Sequence, residues 1–201
     1  MTTDQLESEI AYMKSMALSG GHGPLKNGAS LFWAGLLYGA GSIGQYAINV
    51  GYLPQSPWTA AGLWFGISIV YAIIMIVTLG GVRRGRETPA TRASHSAWSA
   101  VALGIFAFMI SMIVMANIVH DFNTLSFVMA PVILVLYGVG WWVSAVASGA
   151  RWLRVVAFGA FAGAPVLCLL TGRAEQMLAY AVALFLFAMA PGFVLMRAEK
   201  A

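Results

Sequence analysis

Charged side chains make up only 9% of the 201 residues of this chain, against roughly a quarter in a soluble domain. A water-facing surface cannot be built from so few, so the solvent for most of the surface has to be lipid. One cysteine, Cys168, rules out an intrachain disulfide. A G-x-S-x-G elbow, an H-E-x-x-H pair, a C-x-x-C pair and a Gly-rich phosphate loop are all missing, and with them the usual signatures of hydrolase, zinc and nucleotide chemistry. Also missing is any Asp, Glu, Lys, Arg or His in the middle of a long apolar run. Proton relays and voltage sensors place ionisable groups there, so neither is expected.

What is present is apolar. Hydrophobic residues reach 60%, and mean hydropathy is +0.81. Six runs are long enough to cross about 30 Å of hydrocarbon as helices rising 1.5 Å per residue. They lie near 27–52, 57–80, 95–119, 123–147, 152–171 and 175–196. The fold class expected is an all-α integral membrane protein: a six-transmembrane-helix bundle over 25–201, preceded by a cytoplasmic segment, 1–24. A β-barrel would show short segments of alternating polarity, which stretches such as Ile105–Ala116 do not.

The net charge of +4 does not point to nucleic acid, because the basic residues are scattered between the apolar runs. Their sides fix an orientation instead. With the N-terminus inside, Lys14, Lys26, Arg83, Arg84, Arg86, Arg92, Arg151, Arg154, Arg197 and Lys200 are cytoplasmic, and only Arg173 is outside. That asymmetry is the positive-inside rule, and it predicts both termini in the cytoplasm. Trp33, Trp98, Trp141, Trp142 and Trp152 fall toward inner ends and Trp58 toward an outer end, as in an interfacial aromatic belt. The residues before the first run hold Asp4, Glu7, Glu9 and Lys14 and lack a basic start and a cleavage site, so that run is expected to be an uncleaved anchor.

Residues 3–18 place Leu6, Ile10, Met13 and Ala17 at helical spacing, which predicts a short amphipathic helix ended by the glycines before Pro24. It suits a helix lying on the inner membrane surface, or a docking arm for a protein partner. The connection from Gly80 to Ser94, basic and interrupted by Pro89, reads as a flexible cytoplasmic loop.

Small residues four apart permit close helix approach in lipid. Three such pairs, Gly35/Gly39, Gly62/Gly66 and Gly159/Gly163, are the candidate helix-packing positions, within the chain or between copies. Pro131, Pro165 and Pro191 fall inside the fourth, fifth and sixth runs and are expected to bend them. Leu37–Gly41 and Leu136–Gly140 share the pattern L-Y-G-x-G, a match too short to establish duplication.

Two polar groupings are candidate sites. Tyr38, Ser42, Gln45 and Asn49 share one face of the first run, within an arc of about 60°. Lipid cannot satisfy an amide, so this stripe should face other helices or a wet cavity. Asn117, His120, Asp121, Arg173 and Glu175 all fall at the outer side and form a candidate vestibule if they converge. No cofactor, metal ligand set or catalytic group is expected. His22 and His95 are inner and His120 outer, so a bis-His haem has no obvious pair.

The opening Glu9–Leu25, E-I-A-Y-M-K-S-M-A-L-S-G-G-H-G-P-L, resembles the start of small polytopic membrane proteins of alphaproteobacteria whose activity is uncharacterised. The resemblance implies a bacterial inner membrane and no particular activity. The N-P-A-P-L signature of acetate channels is absent. The preferred function is a small-solute channel or facilitator, lined by the stripe and entered through an outward-facing polar vestibule; the alternative is a non-transporting accessory or regulatory protein that binds a protein partner or a larger membrane complex. The first requires water to reach Ser42 and Gln45; the second requires a stripe hydrogen-bonded within the protein.

Overall fold

In the computed structural model the described residues are Glu9, 28–80, 89–120 and 122–199. Among them are six helices: α1 (Gly28–Asn49), α2 (Pro57–Gly80), α3 (Pro89–Val119), α4 (Phe122–Ser148), α5 (Arg151–Cys168) and α6 (Glu175–Ala198). Five of them, α2 to α6, are long and apolar enough to cross a membrane. The 22 residues of α1 would extend about 33 Å, but its glycines and polar stripe dilute its apolar character. The N-terminal helix expected over 3–18 lies outside the described residues, except for Glu9.

The helices pack as an arc. α2 rests on α1, α1 on α6, α6 on α4 and α5, and α3 on the far side of α4. The core runs through the middle of this arc, where Leu134, Trp141, Leu153, Ala157, Ala160, Leu184 and Ala188 are buried. Lipid offers helices no hydrophobic gain on association, so close van der Waals fit has to hold them. Small residues supply it. Alanine recurs along one face of α5, at Ala157, Ala160 and Ala164, all buried. On α1, a side chain at Gly28 would meet the backbone of α6 near Gly192, and one at Gly192 would meet the backbone of α1 near Gly28. Just beyond this crossing the Glu199 carboxylate accepts a hydrogen bond from Gly28 N at 3.1 Å. A first-turn N–H has no helical acceptor, and an anion at a helix N-terminus is favourable.

Each proline inside a span deprives the carbonyl four residues earlier of its helical donor. In two cases another helix replaces it. Pro131 frees the Phe127 carbonyl of α4, and Gln176 Nε2 of α6 donates to it at 3.1 Å. Pro191 frees the Phe187 carbonyl of α6, and Trp141 Nε1 of α4 donates to it at 2.6 Å. The two helices thus mend each other. Between these points, Phe185–Met189 forms one π-helical turn, with Ala190 N donating to the Phe185 carbonyl. Such a turn inserts one residue into the α-helix. Here it divides two rings: Phe185 lies over Gly39 of α1, and Phe187 over Gly159 and Gly163 of α5.

Two expectations are corrected. Trp141 is not an interfacial belt residue: its exposure is 0%, because its face of α4 turns inward and its N–H is taken by α6. Residues 89–94 are not loop. Pro89 opens α3, since a missing N–H costs nothing in a first helical turn, and Ser94 is buried against Ser144 with their hydroxyl oxygens 2.9 Å apart.

Candidate functional site

The stripe on α1 faces α2, and its polar groups are bonded within the protein. The Tyr38 hydroxyl meets Ser68 Oγ at 3.3 Å, and Ser42 Oγ donates to the Tyr38 carbonyl one turn back at 2.8 Å. Gln45 uses both ends of its amide: Oε1 accepts from Trp64 Nε1 at 3.0 Å, and Nε2 donates to Asn49 Oδ1 at 2.9 Å. The Asn49 carbonyl, orphaned at the helix end, accepts from Gln55 Nε2 at 3.1 Å. Packing follows the same seam, with Gly41 under Ile67, Gly44 under Leu63 and Tyr38 stacked on Trp64 at 6.4 Å. Tyr71 donates back from α2 to the Ser30 carbonyl at 3.4 Å. Ser42 is wholly buried, Tyr38 and Gln45 are partly covered, and Asn49 is exposed at the helix end.

The described members of the outer grouping are Asn117, His120, Arg173 and Glu175. Asn117 Nδ2 donates to the Ile113 carbonyl of its own helix at 2.7 Å. His120 is exposed and ends α3 with a positive φ of 57°, the left-handed conformation that stops helices, more often taken by glycine. Arg173 and Glu175 are exposed in the turn between α5 and α6 and at the start of α6. Among the described residues, no hydrogen bond or ion pair links Asn117 or His120 to either of them. Asp121 lies outside the described residues.

The three glycine pairs take different places. Gly35 sits against the backbone of Met189, and Gly39 against the Phe185 ring, both on the α1–α6 seam. Gly159 meets Phe187, and Gly163 meets Leu134 and Phe187. Gly62 and Gly66 meet nothing within 4 Å, so they make no close helix contact among the described residues. Their side of α2 is turned away from α1. In the two L-Y-G-x-G segments the glycines play parallel parts: Gly39 and Gly41 admit Phe185 and Ile67, while Gly138 and Gly140 admit Phe161 and Trp98.

Three polar contacts were not foreseen from the sequence. Ser144 is shared by Ser94 and by Trp98 Nε1, the latter at 3.1 Å, and ties the beginning of α3 to the end of α4. Gln176 is wholly buried and also donates to the Leu167 carbonyl at the end of α5, at 3.0 Å. Among the described residues its Oε1 has no partner. Trp141 is the third. The signal that could have revealed Gln176 and Trp141 is the set of in-span prolines, each of which obliges some other group to supply a donor.

Among the described residues no three His, Cys, Asp or Glu gather as a metal site. Cys168 is a free thiol, exposed at the end of α5. Comparison with family models, with curated proteins and with solved structures finds no match.

Proposed function

We propose that the chain is a six-span inner-membrane protein that acts by holding a protein partner at or in the bilayer, not by passing a solute. The carrying observation is the stripe on α1. Ser42 is buried, both ends of the Gln45 amide are occupied by Trp64 and Asn49, and Tyr38 is bonded to α2. Polar groups so satisfied need no water column beside them. The solute-facilitator reading, which requires one, draws correspondingly less support.

Support for a sixth span comes from α1 lying antiparallel between two apolar helices along its length. Ser30 to Gln45 face Tyr71 to Trp64 on one side, and Gly28 to Gly39 face Gly192 to Phe185 on the other. The ten basic residues on one side, against Arg173 on the other, favour cytoplasmic termini. For the partner, α2 and α3 offer the surface. They flank the arc, and their apolar residues, among them Phe65, Ile69, Phe106 and Ile110, are largely exposed. The test is solute flux: proteoliposomes should swell in glycerol or urea no faster than protein-free vesicles. Faster, saturable swelling overturns the reading.

A further inference from the structure

One backbone carbonyl in the middle of α6 is left without a donor. In an α-helix the N–H of residue 190 would serve the carbonyl of Leu186. In the π turn Ala190 N donates one residue further back, to the Phe185 carbonyl. The next N–H, which π-helical geometry would bring to Leu186, would belong to residue 191, and that residue is a proline. The turn and the proline together therefore strand two successive carbonyls. Trp141 of α4 covers that of Phe187. Among the described residues no side chain is bonded to that of Leu186.

The stranded oxygen lies on the outside of the bundle. A helical carbonyl points along the axis toward the residues three and four ahead, here Met189 and Ala190. Leu186 is 56% exposed and Ala190 is exposed as well, so the small side chain of Ala190 leaves the oxygen open. Val182 and Val194 continue the same exposed row at four-residue intervals. The row runs between Phe185, which meets α1, and Phe187, which meets α5. Leu186 is also central in α6, Glu175–Ala198. A bare carbonyl at that depth is costly, because hydrocarbon supplies no donor.

The chemistry of the oxygen defines what covers it. It takes an N–H or an O–H. A charged donor is too costly at this depth, and lipid head groups stay about 15 Å from the bilayer centre. The donor therefore has to be an uncharged side chain carried by another transmembrane helix. A two-fold dimer of this chain on this face would set the carbonyl against its own copy, acceptor against acceptor. The exposed mid-span hydroxyls of Ser68 and Ser111 are already bonded within the chain.

We propose that the α6 face around the Leu186 carbonyl is a docking site for a transmembrane helix of a different protein, anchored by an uncharged N–H or O–H donor at mid-depth. The inference rests on the partner-holding reading and adds a polar contact to the apolar surface of α2 and α3. The test measures energy transfer in lipid nanodiscs between the labelled full chain and a leucine-rich transmembrane peptide with one central Trp, whose indole is a donor only. The same peptide with a central Phe is the reference. The Trp peptide should bind about fivefold more tightly. That advantage should vanish in Pro191→Ala, which supplies an N–H to the gap, with the affinity for the Phe peptide kept at the parent's value. It should vanish also in Ala190→Leu, which covers the oxygen from an exposed position. Equal affinities for the two peptides, an advantage retained in either variant, or displacement of the Trp peptide by an unlabelled second copy of the chain overturns the proposal. Vesicle swelling is a separate readout: failure here leaves the partner-holding reading standing, and solute flux defeats that reading whatever the peptides do.

Discussion

Gln176 Nε2 donates to the carbonyl of Phe127, the group that Pro131 leaves without a helical donor. The side chain therefore completes a backbone ladder on another helix. Replacing Gln176 by Leu keeps the volume and removes the donor, and should cost about 1–3 kcal/mol. In a Pro131→Ala background the ladder closes by itself, so the same replacement should cost about 1 kcal/mol less. A double-mutant cycle on denaturant unfolding in detergent measures the difference. Equal costs in both backgrounds would remove the proline from the explanation.

Trp141 and Pro191 form the reverse pair. Trp141→Phe deletes the N–H that bonds the Phe187 carbonyl and leaves a small void at a fully buried core position. A loss of about 2–3 kcal/mol is expected, partly recovered by Pro191→Ala. The readout is the midpoint of unfolding for the single and double variants.

Glycine positions separate cleanly. Ala at Gly35 would press on the Met189 backbone, which cannot yield as a side-chain tip can, so Gly35→Ala should cost about 1–3 kcal/mol. Gly62→Ala and Gly66→Ala meet open space and should be neutral or stabilising by up to about 1 kcal/mol each, from helix propensity. Thermal melts of the three purified variants decide the matter.

His120 holds a left-handed φ of 57° at the end of α3. His120→Gly removes the Cβ strain and should stabilise the chain by about 1 kcal/mol, a gain that His120→Ala should not give. Comparison of the two melting temperatures tests this.

These residues also mark how far sequence reasoning carries. The apolar runs identify the spans because crossing lipid demands length and hydrophobicity, and both are local properties. Which face of a helix turns inward is not local. Trp141 and Trp142 are neighbours in sequence, yet one is buried in the core and the other is 40% exposed. Gly62 and Gly66 have the same spacing as Gly35 and Gly39, and only the latter pair meets another helix. Pro89 looked like an interruption because its basic, Gly-containing surroundings suggested loop, while the buried Ser94–Ser144 contact near the start of α3 links residues 50 apart. The stripe on α1 was legible as a face needing partners. That those partners include Trp64 and Ser68 depends on the register of α2, which no local pattern specifies.

The central claim is that this stripe is sealed by protein. It is tested most directly by placing single cysteines at Ser42, Gln45 and Asn49 in a Cys168→Ser background, then treating membranes with a membrane-impermeant thiol reagent from the outer side. Asn49, exposed at the end of α1, should label, and Ser42, with 0% exposure, should not. Labelling of Ser42 at a rate comparable to Asn49 would establish a water-filled path into the bundle and contradict the account.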